Sequence, residues 1–267
     1  MNNKVFKNLF QDALFNNDLN LAVEISIKNL PKCLYKILPT KNDRIKTLED
    51  ESVWFSNPNF FDDFLDTGFW KNEDLNFESI IKASNVDPNT FENIDAMKST
   101  IEFAKEKLRK DVKNIFHSLS LFEDIENPVY WSMYGDNGKG FAIQYNFNHS
   151  KSLELDYMVF PVIYSNTPLD LNETLKRKDT FQYLLSLYKG DCWSFQNEWR
   201  CLVKPNEIDK GTVKKAPKIE AVYLGLKCLT EHKIDLIEIA KQKKILVYEM
   251  IPSWNSCNLI AKPIYFP

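Results

Sequence analysis

Short apolar runs closed by proline, glycine or asparagine are interspersed along this chain with segments whose apolar residues step by three or four, in no regular strand-helix alternation. That irregular order limits the fold more than any other feature. A doubly wound parallel sheet needs a crossover helix after each strand, so the pattern predicts an α+β fold: a mixed, mostly antiparallel sheet with flanking helices.

Val5, Phe6, Leu9, Phe10, Ala13 and Leu14 recur at helical spacing, and Leu19 to Leu30 repeats the habit after the break at Asn16-Asn17-Asp18. These two helices are expected as an extension over residues 1–32 of a single domain spanning 1–267. Pro31 ends the second helix, Cys33 to Leu38 reads as a strand stopped by Pro39, and Val53 to Ser56 as another ended by Asn57-Pro58. Asn59 to Trp70, rich in Phe and Asp, reads as a loop with a short helix. Asp87-Pro88-Asn89-Thr90 offers capping chemistry for a long helix whose stripe is Phe91, Ile94, Met97, Ile101, Ala104 and Leu108.

Further strands are expected at Ile115 to Ser120, Gly140 to Phe147, Leu153 to Tyr164, Glu198 to Lys204, Ile219 to Gly225 and Ile245 to Met250. Helices are expected at Pro128 to Tyr134, near Leu169 to Tyr188, and at Thr230 to Lys241. Lys204 to Lys218, with Pro205, Gly211 and Pro217 among its lysines, reads as a surface loop between two strands.

Composition narrows the function classes. At 44% hydrophobic and 13% aromatic, 267 residues can bury a core without staples. A net charge of −3 argues against a chain built to coat nucleic acid, which shows a basic excess. The five cysteines, Cys33, Cys192, Cys201, Cys228 and Cys257, lack Cys-x-x-Cys spacing and read as reduced packing residues of a cytoplasmic protein. The first residues show no signal-peptide pattern, and no run approaches the roughly 20 apolar residues that span a bilayer. A soluble chain with no membrane partner is expected.

Four segments together carry a resemblance: Leu34-Tyr35-Lys36; Trp54-Phe55-Ser56-Asn57-Pro58 leading to Phe61-Asp62-Asp63-Phe64; Trp131-Ser132-Met133-Tyr134 running to Lys139-Gly140-Phe141; and Glu198-Trp199-Arg200. A fifth, Val222 to Lys227, completes the set. In order and spacing they resemble the bacterial family known as domain of unknown function 2971, from about Cys33 to Met250. No settled activity comes with that family.

Gln196-x-Glu198 at the start of a strand is also similar to the Gln/Glu-x-Glu motif of ADP-ribosyltransferases, whose other landmarks are an early strand with a basic or aromatic residue and a middle strand bearing Ser. That similarity implies an ADP-ribosyl-transferring or NAD-cleaving protein, set in bacterial conflict or phage defence, with NAD as co-substrate and a protein or nucleic acid as acceptor. Breaking the nicotinamide-ribose bond builds positive charge on the sugar, which a fixed carboxylate stabilises. Glu198 would be that carboxylate, Gln196 would orient the acceptor and Ser56 would support Glu198. Tyr35, Lys36, Trp131, Tyr134 and Arg200 would hold the cofactor.

A second reading stays open: a non-catalytic module whose aromatic-lined cleft binds a nucleotide or a partner protein. On a strand Glu198 and Arg200 share a side, so they can form a plain ion pair. Trp131 and Tyr134 share a helical face that reads equally as core, and Gly135 to Gly140 reads as a turn into the next strand rather than a phosphate cradle. Asp62, Asp63 and Asp66 read as caps and solvated loop charge, so no metal is expected. His117, His149 and His232 belong to no metal-ligand motif, and His117 reads as a hydrogen-bonded core histidine. The basic stretches at Lys204 to Lys218 and Lys241 to Lys244 read as solvated surface.

Overall fold

The computed structural model describes residues 3–63, 65–71, 94–147, 156–207 and 209–267. Helices α1 (Asn3–Phe15) and α2 (Leu19–Asn29) open the chain, with Asp18 capping α2 by accepting from the Leu21 N–H. Strand β1 (Cys33–Leu38), helix α3 (Asn42–Glu49) and strand β2 (Ser52–Ser56) follow. Next come α4 (Ile94–Lys113), β3 (His117–Leu121), α5 (Pro128–Tyr134), β4 (Phe141–Asn146), β5 (Met158–Pro161) and β6 (Ile163–Ser165). The last third holds α6 (Leu171–Leu175), α7 (Phe181–Leu187), β7 (Tyr188–Gly190), β8 (Trp199–Val203), β9 (Gly211–Lys215), β10 (Lys218–Leu224), α8 (Thr230–Lys243), β11 (Leu246–Pro252) and β12 (Leu259–Tyr265).

Two five-stranded sheets result, in the orders β1-β4-β10-β11-β12 and β5-β8-β3-β2-β9, beside a small β6-β7 pair. Among the described strand pairs, only β10-β11 and β6-β7 run parallel. The α+β expectation with mostly antiparallel pairing is met.

Side-chain alternation explains how the sheets face each other. Leu34 and Leu38 of β1, Ile143 and Tyr145 of β4, and Val222 and Leu224 of β10 join Phe55, Leu119, Leu121, Trp199 and Cys201 of the second sheet in one core. A second core lies behind the second sheet, where α1 and α7 contribute Phe10, Leu14, Leu184 and Leu187 against Phe160 and Leu202. The opening helices are therefore built into the packing. A third cluster covers the outer face of the first sheet, with Trp131 of α5 against Ile37, Ala142, Ala221 and Met250.

Two local readings change, and one strand is added. Lys204 to Lys218 is not wholly loop, because Gly211 to Lys215 pairs with all five residues of β2 and closes that sheet's edge. The C-terminal strand β12 pairs with β11 and carries Pro263, a residue that fits an edge. Cys192 and Cys257 are exposed, so only Cys201 and Cys228 are buried packing thiols, with Cys33 between; all five are free. The expected cap of the long helix at Asp87 to Thr90 and the start of the Leu153 to Tyr164 segment lie outside the described residues.

Candidate functional site

The β2-β3 junction shapes the site. These strands pair only at Ser56 and Ser118, whereas β2 stays paired with β9 along its length and β3 with β8 along its own. Beyond that pair they splay, and the Ser120 carbonyl accepts a hydrogen bond from Lys36 Nζ at 3.0 Å. Lys36 reaches across because it shares the inward face of β1 with Leu34 and Leu38.

The splay opens a cleft of about 340 Å³ between the sheets. Lys36, Ser118, Ser120 and Tyr134 line it, with Ser52, Trp54 and Ser56 of β2 along one wall. Lys41 and Arg44 of the α3 segment stand at its rim with Phe61 and Asp62. Three cations thus meet one lining carboxylate, Asp62, although Arg44 also lies 3.5 Å from its neighbour Asp43. Burial, with Arg44 nearby, pushes the Lys36 amine down to about 8 despite the opposing pull of Glu198.

Behind this wall lies a buried ionic network. A 3-10 turn over Asp191–Gln196 ends at Asn197, which takes a left-handed φ of 42° that Asn tolerates. That reversal aims Gln196 and Glu198 at one amine: Lys189 Nζ donates to Gln196 Oε1 and to Glu198 Oε2, both at 3.0 Å. Arg200, on the same side of β8 as Glu198, donates to Glu198 Oε1 at 2.8 Å. Its other nitrogens grip Asp66 through a two-pronged contact at 2.7 and 2.9 Å and reach the Ser186 carbonyl at 2.7 Å. Lys189 is 3.3 Å from Asp66. The Ser120 hydroxyl also donates to Glu198. The backbone N–H of Glu198 donates to the Tyr164 hydroxyl at 2.9 Å.

Two carboxylates and two cations balance, and all are nearly inaccessible: Glu198 is 1% and Arg200 0% exposed. Burial alone would raise the Glu198 pKa, but Arg200 and Lys189 hold it down at about 2. Burial likewise opposes charge on Lys189, yet Glu198 and Asp66 raise its pKa above the ordinary value. Tyr134 links the two regions, since it lines the cleft and its hydroxyl accepts from Gln196 Nε2 at 2.5 Å.

The residues singled out from sequence therefore separate into three places. Lys36, Ser56 and Tyr134 line the cleft, while Glu198, Gln196 and Arg200 belong to the network behind it. Tyr35 and Trp131 are at neither. Strand alternation turns Tyr35 to the outer face, edge-on to Tyr223 at 5.7 Å, so it cannot stack on a ligand beside Lys36. Trp131 is 1% exposed, and its indole N–H donates to the Ile125 carbonyl at 2.7 Å, which makes it core. Gly135 to Gly140 forms a turn in which Asp136, Asn137 and Gly138 all have positive φ. A side chain at Gly140 would come within 2.2 Å of the Leu38 carbonyl oxygen, so the glycine serves close packing.

Asp66, Lys189 and Ser120 were missed. The expectation of solvated charge fails at Asp66, which is 3% exposed because Arg200 draws it inward, beside Thr67 at a strained φ of 53°. The only sequence signals were an aspartate and a lysine in apolar surroundings, Phe64-Leu65-Asp66 and Leu187-Tyr188-Lys189, and the alternation Ser118-Leu119-Ser120. His117 is buried with Nδ1 2.7 Å from Thr212 Oγ1. Among the described residues no group of His, Cys, Asp and Glu is arranged to hold a metal ion, and no helix is long and apolar enough to cross a membrane.

No curated protein and no solved structure gives a match. Residues 130–201, which run from the cleft-lining helix α5 to the ionic network, match the model of a protein family of unknown function, DUF2971, so over that stretch the chain's resemblance to the family is shown.

Proposed function

We propose that this protein is a binding module for an anionic, nucleotide-type ligand, taken into the cleft between the two sheets, with the Glu198–Arg200 network bracing one wall. The observation that carries this reading is the cleft lining. Lys36, Lys41 and Arg44 supply positive charge, Ser52, Ser56 and Ser118 supply hydroxyls, and Trp54 and Phe61 supply aromatic surface. Phosphate, sugar and base each find a complementary partner in such a set. The volume, about 340 Å³, is near the small end for ligand pockets and suits a mononucleotide or part of a dinucleotide. Calorimetric titration with ADP and NAD tests it. Saturable binding that weakens with added salt and collapses in a Lys41→Ala/Arg44→Ala double variant is expected. Absent binding, or binding indifferent to that double change, overturns it.

A second reading, NAD cleavage with ADP-ribosyl transfer, is favoured by one contact: the hydroxyl of Ser120, on the strand beside β8, donates to Glu198. A serine on a middle strand supporting the carboxylate is what the Gln-x-Glu similarity implies, with Ser120 in the role first given to Ser56. Against it, Arg200 and Lys189 already occupy both Glu198 oxygens. Nicotinamide release by wild type, lost in Glu198→Gln with the fold retained, would support this reading. No release with any protein or nucleic-acid acceptor offered would remove it.

A further inference from the structure

A lysine withdrawn from water normally finds a carboxylate, as Lys189 does with Glu198 and Asp66. Lys36 does not. Its amine donates to one neutral backbone carbonyl, and no carboxylate among the described residues lies within ion-pair distance of it. It is half-buried at a core-facing position between Leu34 and Leu38 on β1, and it lines the cleft beside Ser120, whose carbonyl its amine meets. Burial among apolar neighbours together with nearby cations is the setting that activates an amine, since both disfavour the ammonium form. The rim cations Lys41 and Arg44 stand further out, Lys41 exposed and Arg44 half-buried. An anionic group at the rim and a reacting carbon at Lys36 can therefore belong to one ligand.

We propose that Lys36 is a covalent attachment point, whose amine forms an imine with the carbonyl carbon of a phosphorylated aldehyde or open-chain sugar phosphate while Lys41 and Arg44 hold the phosphate. The inference rests on the reading that the cleft takes an anion, and it adds the reacting group and the ligand class. The amine lone pair attacks the carbonyl carbon, and the carbonyl electron pair moves to oxygen. Nitrogen loses two protons in all, the oxygen leaves as water, and a C=N bond replaces C=O. No oxidant or reductant takes part, and water reverses the step. With an amine pKa of about 8, a useful fraction of Lys36 is neutral near neutral pH, whereas an ordinary surface lysine is almost wholly protonated. The hydroxyls of Ser52, Ser56 and Ser118 suit the remaining hydroxyls of a sugar chain.

The test uses pyridoxal 5′-phosphate as the phosphorylated aldehyde, pyridoxal as its phosphate-free counterpart, and cyanoborohydride to reduce any imine to a stable amine. Peptide mass mapping locates the adduct. The expected result is an adduct concentrated on Lys36, stronger with the phosphate ester than with pyridoxal, rising as pH passes through about 8. It should fall to background in Lys36→Arg and lose its phosphate preference in Lys41→Ala/Arg44→Ala. Thermal melting of Lys36→Arg and of Lys36→Met confirms that each variant is folded. Label spread over exposed lysines, with total yield unchanged in Lys36→Arg, overturns the proposal. ADP titration of the same preparation separates the two readings. If ADP binds and Lys36 stays unlabelled, the covalent step fails and the anion cleft stands. If Lys36 is labelled equally by both aldehydes and ADP does not bind, the anion cleft fails and takes the phosphorylated-ligand proposal with it.

Discussion

Lys189 is buried and Lys36 half-buried, and their amines are displaced in opposite directions, Lys189 upward and Lys36 down to about 8. What faces each amine makes the difference. Lys189 meets two carboxylates and the amide oxygen of Gln196, and Arg200 completes a neutral set of charges. Lys36 meets a single carbonyl and an opening. Both regions meet at Ser120, whose hydroxyl serves Glu198 and whose carbonyl serves Lys36. The network is satisfied from within the chain, and the cleft is not. The first therefore reads as a brace and the second as a place for a ligand.

The contrast can be broken at its strongest point. Arg200→Ala would leave Asp66 and Glu198 buried together without their shared guanidinium, and a loss of about 3–5 kcal/mol is expected by denaturant unfolding. A loss of a few tenths of a kcal/mol would show that the network is not the brace described here.

Acid should reach the same network without mutation. The folded Glu198 carboxyl sits at about 2 against an ordinary 4.5, so its contribution is fully present above about pH 4.5 and is lost as pH falls towards 2. That amounts to about 3 kcal/mol for this one group. Denaturation curves across that window should lose most of this slope in Glu198→Gln. Lys36 works with the opposite sign. Its charged form is disfavoured in the fold, so its destabilising effect is present below about pH 8 and fades as pH rises towards 10.5.

Smaller changes sharpen the boundary between the regions. Tyr134→Phe removes the hydroxyl that accepts from Gln196 and should cost about 1 kcal/mol, read from the melting temperature. Lys36→Met should stay within about 1 kcal/mol of wild type, because the lost hydrogen bond and the relieved burial of an amine offset each other. Its larger effect should be on ADP affinity. A strongly destabilised Lys36→Met with unchanged ADP binding would reverse the assignment of brace and cleft.

Much of this fold was legible along the chain. Periodicity placed α1, α2, β1 and β2 closely, because their apolar residues repeat with the period of the element and proline closes β1 and borders β2. The edge strands β9 and β12 escaped, since an edge buries little: β9 reads Gly211-Thr212-Val213-Lys214-Lys215, with no residue fully buried, and β12 is largely exposed and carries a proline. At the site, the Gln196-Glu198-Arg200 cluster was visible because its members are neighbours on one strand and its approach. Asp66 and Lys189 were not, since Asp66 lies 134 residues from the arginine it serves.

The chain by itself determined its class of architecture, the glycine turn before β4, and the shared face of Glu198 and Arg200, all of which follow from the fixed periods of helix and strand and from local backbone sterics. Only the tertiary structure decided that Glu198 is held by two cations while Lys36 pairs with no carboxylate among the described residues, that Tyr35 faces away from Lys36's cleft, and that Ser120 rather than Ser56 touches the carboxylate. Those outcomes depend on which strands lie side by side and where two of them part. Charge pairing through a dry interior is set by distance in space, and residues far apart in sequence give no sign of it.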